Sequence, residues 1–345
     1  MNDLGERPRL DTTVAEPGEE TVQTLDFVWL EITGSCQLTC VHCYAASSPQ
    51  GSHGTMTFED WTRVIDETAD AGADMVQFIG GEPTVHPRLP DLIGHALGRG
   101  LDVEVFSNLY RITPAMWEVL TQPGVSLATS FYSDDAAEHD AIVARPGAHP
   151  RTTANIAEAV RRGIPLRTGV IDIRDGQRVP GALLQLERLG VTNVGTDRLR
   201  QVGRGERDRQ ASMDQLCGNC ASGVLAIAPD GSVWPCVFTR WLPVGNVRQA
   251  SLSDIMAGQD VAGVRADLAE HFARRGDISA CRPDDCTPRC QPGCNPMCNP
   301  FCQPTCNPRC GPSCSPAKNC EPVQCGPKGN CWPKYPGCKP NTGRR

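Results

Sequence analysis

Three cysteines near the beginning of the chain, Cys36, Cys40 and Cys43, have the type and spacing that most directly indicate chemistry. They follow a predicted strand at C-x3-C-x2-C spacing, so one loop can present three thiolates together. Three thiolates can hold three irons of a 4Fe–4S cube. Because no fourth cysteine lies nearby, the fourth iron would stay open to a ligand. The alternatives are a zinc site or three buried thiols.

A second candidate is the turn Gly80-Gly81-Glu82-Pro83, which follows the next predicted strand. Two glycines let the backbone approach a ligand closely, and Glu82 or a carbonyl oxygen can accept a hydrogen bond from an ammonium group. Taken alone, these four residues also fit an ordinary turn. Their place after the strand that follows the cysteine loop favours a binding role.

Together the two segments resemble the radical S-adenosylmethionine (radical SAM) superfamily, whose hallmarks are C-x3-C-x-aromatic-C after the first barrel strand and a GGEP element after the second. His42 occupies the aromatic position, and the similarity covers roughly residues 26–200. The resemblance implies a catalytic 4Fe–4S cluster whose open iron chelates the amine and carboxylate of S-adenosylmethionine. Reductive cleavage of the sulfonium then releases a 5′-deoxyadenosyl radical, which abstracts hydrogen from the substrate.

The same resemblance implies cofactor contacts at the ends of later strands. Polar ribose contacts are expected where the third and fourth strands end, and an apolar ledge beneath adenine is expected in the fifth, although Ser and Asn also end strands without binding anything. The implied contacts are His42, Tyr44, Gly80, Gly81, Glu82, Pro83, Ser107, Asn108, Ser130 and Gly169.

A second cysteine region begins at Cys217-Gly-Asn-Cys220 and continues to Gly231 and Cys236. Asp230-Gly231 predicts a tight turn between Leu225–Ala228 and Ser232–Trp234, and a hairpin there brings Cys220 towards Cys236. The spacing resembles the opening of a SPASM or twitch extension, which implies an auxiliary 4Fe–4S cluster; a zinc ribbon is the alternative. The later spacing departs from that pattern, so the fourth ligand is left open among Cys281, Cys286 and Cys290, and the number of auxiliary clusters is one or two.

From Cys286 to Cys314 a cysteine recurs every four residues, each followed two residues later by proline. Proline at this period forbids an α-helix, and Asn-Pro and Gln-Pro favour turns. The last 65 residues contain no Leu and no Ile, so they cannot bury a hydrophobic core. Three interpretations compete: ligation of auxiliary clusters by the first few cysteines, a metal-delivery or redox tail, and a low-complexity appendage, which is favoured beyond about residue 300.

The elements that must position these residues alternate between short apolar runs and segments of helical period. Thr57 with Asp60 predicts a helix N-cap, and Gly72, Gly163 and Gly190 predict helix ends. The pattern predicts an α/β fold, a partial (βα)6 parallel barrel followed by a small Cys-rich β-hairpin/α extension and a Cys-Pro-rich irregular tail; a doubly wound sheet is the alternative. Strands are predicted at Phe27–Ile32, Met75–Ile79, Val103–Ser107, Ser126–Phe131, Leu166–Ile173 and Val191–Gly195, and helices at Phe58–Ala71, Leu89–Leu97, Pro114–Leu120, Thr152–Arg162 and Val179–Leu189.

The predicted organisation is a flexible leader (1–25), the barrel (26–205), an auxiliary-cluster domain (206–290) and a low-complexity tail (291–345). A net charge of −7 argues against broad attraction to nucleic acid. No apolar run is long enough to span a bilayer, and the beginning of the chain lacks the pattern of a secretion signal. A cytoplasmic protein whose cysteines bind metal is therefore expected.

Two polar loops at the predicted barrel mouth have open roles. Arg198, Arg200, Arg204 and Arg207 could bind substrate carboxylates, although a solvated surface is favoured. Tyr132, Asp134, Asp135, His139 and Asp140 could steer substrate or supply a proton, or simply cap helices.

The predicted function is that of a radical SAM enzyme that modifies a peptide in natural-product maturation, with an auxiliary 4Fe–4S cluster. Its expected partners are the substrate and a reducing protein such as flavodoxin or ferredoxin. The short polar segment before the first strand favours one alternative, a dehydrogenase, epimerase or decarboxylase acting on a small sugar or antibiotic intermediate. A non-catalytic iron–sulfur carrier is a second alternative, but it leaves the GGEP element without a purpose.

Overall fold

The computed structural model describes residues 25–274 of the chain. Six parallel strands form one continuous run, each connected to the next by at least one helix. These strands are β1 (Phe27–Thr33), β2 (Met75–Gly80), β3 (Asp102–Phe106), β4 (Val125–Phe131), β5 (Leu166–Asp172) and β6 (Asn193–Arg198). The connecting helices are α1 (Phe58–Asp70), α2 (Leu89–Gly98), α3 (Pro114–Leu120), α4 (Ala136–Val143), α5 (Ala148–Arg161) and α6 (Val179–Arg188).

The strand order distinguishes the two folds that the sequence left open. The six strands pair strictly in chain order, β6-β5-β4-β3-β2-β1, with parallel register throughout. A doubly wound sheet reverses its strand order at a switch point, and this sheet does not. The predicted partial (βα)6 barrel is confirmed.

Local sequence explains how several elements begin and end. The Thr57 side chain accepts from the Asp60 backbone N–H while the Asp60 carboxylate accepts from the Thr57 N–H, a capping box that begins α1. Gly72, Gly163 and Gly190 follow α1, α5 and α6 with φ of 87°, 71° and 82°. This left-handed conformation favours glycine and ends each helix as predicted.

The alternation of side chains along the strands separates an apolar outer layer from a barrel interior that also contains buried polar groups. On β1, Val28, Leu30 and Ile32 pack in the core beneath the helices, whereas Trp29 and Glu31 point to the other face. On β2, β3 and β5 the inner positions hold Gln77, Glu104 and Arg167, all buried. The barrel interior therefore combines this buried polar group with apolar side chains such as Trp29 and Ile79.

The extension continues the same sheet, in a way the sequence did not predict. Strand β7 (Val224–Ile227) pairs parallel with β1, and the predicted hairpin joins it antiparallel to β8 (Ser232–Trp234), followed by β9 (Gly245–Asn246). Helices α7 (Leu252–Ala257) and α8 (Gln259–Arg274) follow. Within residues 25–274 no helix is long and apolar enough to cross a bilayer.

Candidate active site

The three-cysteine loop connects β1 to α1 at the carboxyl end of the barrel strands. It is fixed at both sides: the Cys36 N–H donates to Ser48 O at 3.0 Å, and the Val41 N–H donates to Ile142 O of α4 at 3.0 Å. Cys36 is buried, Cys40 and Cys43 are half-buried, and all three are free thiols. They line one cavity of about 190 Å³.

The environment of these thiols suits a metal cluster. Burial raises the pKa of Cys36 to about 12 and raises the pKa of Cys40 further, so thiolates here require a neutralising cation. Among the described residues, no three His, Cys, Asp or Glu side chains are placed to hold one metal ion between them. A cluster with one iron per thiolate spreads its ligands more widely than a single ion does. Cys36, Cys40 and Cys43 therefore fit a 4Fe–4S cluster better than mononuclear zinc.

Arg204 holds this loop from the opposite side of the barrel mouth. Its Nε donates to Cys40 O at 2.9 Å, its Nη2 to Ser47 O at 2.6 Å, and its backbone N–H to Cys43 O at 3.0 Å. Gly203 allows this approach, because a Cβ there would lie 2.3 Å from Tyr44 O. Three loop carbonyls thus receive their hydrogen bonds from one residue about 160 positions later in the chain.

The Gly80-Gly81 turn packs directly against the segment that leads into Cys36. The Gly81 N–H donates to Thr33 O at 2.6 Å and the Glu82 N–H to Ser35 O at 2.9 Å. A Cβ on Gly81 would lie 2.2 Å from Ser35 O. The glycines are therefore required by the cysteine loop itself as well as by close approach to a ligand.

Glu82 has a different position from the one the sequence predicted. Its carboxylate is fully buried and accepts from Thr84 Oγ1 at 2.6 Å, from Ser107 Oγ at 2.8 Å and from the Asn108 N–H at 2.8 Å. With the Thr84 N–H at 3.2 Å, four donors occupy the oxygens that would otherwise receive an ammonium group. In this structure Glu82 ties the turn to the end of β3 and does not face the cavity.

The ten predicted cofactor contacts fall into two groups, those that line the cavity and those that do not. Six of the ten line the cavity: His42, Tyr44, Gly80, Gly81, Asn108 and Ser130. Glu82, Pro83, Ser107 and Gly169 are not among its lining residues, so direct contact from them is not what the structure shows. Ile171 lies two positions beyond Gly169 on the same face of β5, because side chains on one face of a strand recur every second residue. Glycine has no side chain, and Ile171 lines the cavity at this face.

His42 stands where the family has an aromatic residue, and it packs as one. Its ring lies edge-on to Tyr132 at 4.9 Å, and its Nε2 lies 3.0 Å from the Tyr132 hydroxyl. Burial lowers the pKa of His42 to about 4, so the ring is neutral near pH 7. A neutral planar ring at the cavity wall is compatible with the aromatic position.

The loop after β4 combines the two roles that the sequence left open. Tyr132 and His139 line the cavity. The acidic residues do not: Asp135 caps α4, Asp134 pairs with Arg178 at 2.7 Å, and Asp140 accepts from the backbone of α5. The helix-capping alternative is correct for Asp135 and Asp140, whereas Asp134 pairs with Arg178.

Of the four arginines between residues 198 and 207, Arg200 and Arg204 are half-buried at the cavity, whereas Arg198 and Arg207 are exposed, so the favoured solvated surface describes only two of them. Arg198, Arg200 and Arg204 line the cavity, whereas Arg207 does not. Asp197, which sequence analysis missed, lies among them and pairs with Arg200 at 3.1 Å. Burial raises the pKa of Asp197 to about 6. The sequence could have indicated Asp197 as a site residue through its place at the carboxyl end of a predicted barrel strand.

A buried polar group beneath the cavity was also missed. Arg167 donates two hydrogen bonds of 2.6 Å to the Glu104 carboxylate, and Gln77 donates to the same group. All three lie at inner positions of strands that are otherwise apolar. Polar residues recurring inside predicted strands were the indication that this interior is not a plain hydrophobic core.

The predicted hairpin brings Cys220 and Cys236 together. Both are free and fully buried, and their sulfurs lie 3.2 Å apart, closer than two ligands of one cluster, so they must separate to hold iron. Cys217 is disulfide-bonded in this structure, and its role as a cluster ligand stays a prediction. Cys281, Cys286 and Cys290 lie outside the described residues.

The extension forms part of the cavity wall. Val237 and Phe238, directly after Cys236, line the cavity, and Phe238 packs edge-on against Tyr44 at 5.3 Å. Arg240 pairs with the buried Glu31 of β1, and its guanidinium lies 4.5 Å from the Trp234 ring. The two cysteine regions are thus joined through one packed interface.

A parallel partial barrel with a three-cysteine loop at the carboxyl end of its strands is the arrangement of a radical SAM enzyme. The family profile of the radical SAM superfamily matches residues 30–177, and that of the SPASM family, an iron–sulfur cluster-binding domain, matches residues 217–290. The chain belongs to the radical SAM superfamily and carries a SPASM extension. This membership implies a 4Fe–4S cluster and S-adenosylmethionine in the barrel and auxiliary iron–sulfur clusters in the extension.

Comparisons with individual proteins agree with this family. An AdoMet-dependent heme synthase of Methanosarcina barkeri is 29% identical over 184 residues, which is 53% of either chain, so the match spans about half of that relative. A PqqA peptide cyclase of Granulibacter bethesdensis is 25% identical over 271 residues, covering 66% of this chain and 72% of the cyclase. Streptococcus suis SuiB shares the fold, with a TM-score of 0.59 at 14% identity over 71% of this chain and 68% of SuiB.

Proposed function

We propose that this enzyme modifies a peptide by radical chemistry, with its catalytic cluster on Cys36, Cys40 and Cys43 and an auxiliary cluster held in part by Cys220 and Cys236. The observation that carries the proposal is the shared cavity. One wall is the three-cysteine loop, and another is Val237-Phe238, directly after Cys236. A substrate in this cavity would contact both cysteine regions.

Once bound, the cluster and S-adenosylmethionine supply a 5′-deoxyadenosyl radical that abstracts a hydrogen atom from the substrate. The protein residues position and enclose this chemistry. Gly80 and Gly81 present backbone at the cavity wall, and Asn108 Nδ2 lies 3.5 Å from Cys36 Sγ. His42, Tyr44 and Phe238 supply planar, largely apolar walls that exclude water.

Asp197 is our candidate for the proton acceptor. A net oxidation of the substrate releases a proton as well as a hydrogen atom and an electron, and a carboxylate with a pKa of about 6 is ionised at neutral pH yet basic enough to accept it. Asp197 lies on the cavity wall beside Arg200, which holds the carboxylate in place.

The relatives support a peptide substrate. The cyclase matched over most of its length is named for a peptide, and SuiB has been crystallised with its precursor peptide SuiA. Arg198 and Arg200 at the cavity favour a second candidate, a carboxylate-bearing small molecule. We further propose a cytoplasmic location and a flavodoxin or ferredoxin as reductant, in keeping with cysteines that serve as metal ligands.

The test is anaerobic incubation of the reconstituted enzyme with S-adenosylmethionine, a reductant and candidate peptides, including short precursors encoded beside its gene. We expect 5′-deoxyadenosine and a peptide mass change that both require Cys36, Cys40 and Cys43. A triple Cys→Ala variant that still forms 5′-deoxyadenosine would refute the catalytic assignment. A mass change confined to small carboxylate compounds would favour the second candidate.

A further inference from the structure

Ten cysteines have no role in the sites described above. Nine of the 19 lie in the barrel loop or within the SPASM match, which ends at residue 290. The remainder are Cys294, Cys298, Cys302, Cys306, Cys310, Cys314, Cys320, Cys325, Cys331 and Cys338. Even a second auxiliary cluster would need at most four further thiolates. Most of these cysteines therefore exceed the number of thiolates that the clusters can use.

Their sequence context is uniform, and it differs from that of the cysteines in the barrel loop and the hairpin. Every cysteine from Cys281 onward is followed two residues later by proline, whereas none of the six cysteines before it is. A ligand set requires a few thiolates at fixed positions, and each position has its own surroundings. A repeated Cys-x-Pro unit instead presents the same local chemistry many times, which is what a single site acting on successive units requires.

We propose that the Cys-x-Pro segment 291–345 is a substrate carried on the enzyme's own chain, and that its cysteines are converted to thioether crosslinks in the cavity between the two cysteine regions. This inference rests on the proposed function and specifies its substrate. Each crosslink forms one S–C bond and breaks one S–H and one C–H bond within the segment. The hydrogen atom passes to the 5′-deoxyadenosyl radical, the thiol proton to Asp197, and one electron to an auxiliary iron–sulfur cluster.

The described part of the chain ends close to the cavity. Leu268 and Phe272 of α8 pack in the same apolar cluster as Cys220, Cys236 and Trp29, and Trp29 lines the cavity. The chain therefore leaves the described region beside the auxiliary site. Seventeen residues separate Arg274, the last described residue, from residue 291, and an extended chain of that length spans at most about 60 Å. A globular unit of roughly 250 residues has a radius of gyration of only about 18 Å.

Charge also favours the encounter. Residues 291–345 contain seven Lys or Arg and one Glu, a net charge of +6. Residues 25–274 contain 30 Asp or Glu and 21 Arg, a net charge of −9. Long-range attraction between opposite net charges raises the local concentration of the segment around the enzyme body.

The test uses the full-length, anaerobically reconstituted protein with S-adenosylmethionine and dithionite, and without any added peptide. After the reaction, disulfides are reduced, thiols are alkylated and the chain is digested with trypsin, whose sites occur through the segment. We expect peptides from 291–345 to lose two hydrogen atoms and one alkylation site per crosslink, with one 5′-deoxyadenosine formed for each. Reduction before alkylation distinguishes thioethers from disulfides.

Two variants serve as controls. The Cys36→Ala/Cys40→Ala/Cys43→Ala variant should leave every segment thiol open to alkylation. A variant with the ten segment cysteines changed to Ser should keep its iron and its uncoupled 5′-deoxyadenosine formation while showing no loss of hydrogen. If the wild-type segment stays fully alkylated while 5′-deoxyadenosine is produced or an added peptide is modified, the self-substrate inference is wrong and the proposed function stands. Absence of 5′-deoxyadenosine from a fully iron-loaded protein would overturn the proposed function itself.

Discussion

Asp197 is the cavity residue whose charge changes within an accessible pH range. Burial raises its pKa to about 6, so the carboxylate that can accept a proton is present above about pH 6 and is lost below it. We expect substrate modification to rise with pH through this value. Asp197→Asn should lower the modification rate by about a hundredfold and remove this rise, because the amide accepts no proton.

The measurement follows product and 5′-deoxyadenosine separately between pH 5 and pH 8. Cofactor cleavage should persist in Asp197→Asn, since Asp197 acts on the substrate. Asp134→Asn is the matched control, because Asp134 also pairs with an arginine but lies outside the cavity. An unchanged pH profile for product in Asp197→Asn would eliminate it as the proton acceptor.

Gly81 supports the cluster loop as well as the cofactor. The Cβ of Gly81→Ala would lie 2.2 Å from Ser35 O, so the segment before Cys36 must shift. We expect both iron content and S-adenosylmethionine binding to fall, with a cost in stability of about 1–3 kcal/mol. Gly94→Ala on α2 meets nothing within 4 Å and should leave both unchanged. Normal iron with weakened cofactor binding alone would return Gly81 to a purely cofactor role.

At this scale the sequence predicted the metal site better than the cofactor site. Cys36, Cys40 and Cys43 share one short loop, so their spacing alone required them to lie together. Two partners of Glu82, Ser107 and Asn108, directly follow β3, about 25 residues later, and local sequence carries no record of that contact. Asp197 was missed because a single acidic residue beside arginines looks like solvated surface until its burial is known.

Among the elements, the Gly203-Arg204-Gly205 turn and the cysteine loop act as one unit. Arg204→Gln removes the guanidinium group that donates to Cys40 O and Ser47 O, and it removes a positive charge beside the three thiols. We expect a chelator to remove catalytic iron about tenfold faster. Arg204→Lys keeps the charge, but a compact ammonium cannot bridge both carbonyls. The rate of iron loss from Arg204→Lys should therefore lie between the rates of Arg204→Gln and the wild type.

Arg209→Gln is the matched control, since Arg209 is exposed in the same segment. The measurement is the rate of iron loss to a chelator without S-adenosylmethionine, with circular dichroism to verify the fold. Equal rates for Arg204→Gln and Arg209→Gln would mean that the turn does not stabilise the cluster.

The contact between β1 and the extension depends on a buried ion pair. Glu31 is 1% exposed, and Arg240 is its cationic partner. Arg240→Met leaves a buried carboxylate unpaired and should destabilise the protein by about 3–5 kcal/mol, measured by urea unfolding. Arg240→Met with Glu31→Gln should recover part of this loss. Arg99→Met, which breaks exposed pairs, should cost no more than about 1 kcal/mol; a similar small cost for Arg240→Met would contradict the prediction.

The element boundaries show what periodicity can predict. Five of the six barrel strands lie within about one residue of the prediction, because short apolar runs are their own signal. Strand β6 lies at 193–198 instead of 191–195, since its sequence NVGTDR is mostly polar and its apolar neighbour Val191 misplaced it. Helix α4 was missed: its buried residues are few and it lacks a clear apolar stripe.

For the whole molecule, the cluster inventory can be tested by iron content. Truncation after residue 300 should preserve at least two 4Fe–4S clusters, about eight iron atoms per chain. Cys220→Ala with Cys236→Ala should remove about four of them, while uncoupled cofactor cleavage continues. Retention of only about four irons after truncation would mean that distal Cys-x-Pro repeats supply essential ligands, and it would also weaken the self-substrate inference.

The sequence by itself determined the chemistry of the loops and the class of fold, because cysteine spacing, turn glycines and strand–helix alternation are all local properties of the chain. Tertiary structure decided which walls enclose the cavity. Arg204 reaches a loop about 160 residues earlier, and β7 adds to β1 across nearly 200 residues. Such contacts are selected by packing and hydrogen-bond satisfaction over the whole barrel, and neither leaves a periodic trace in the sequence.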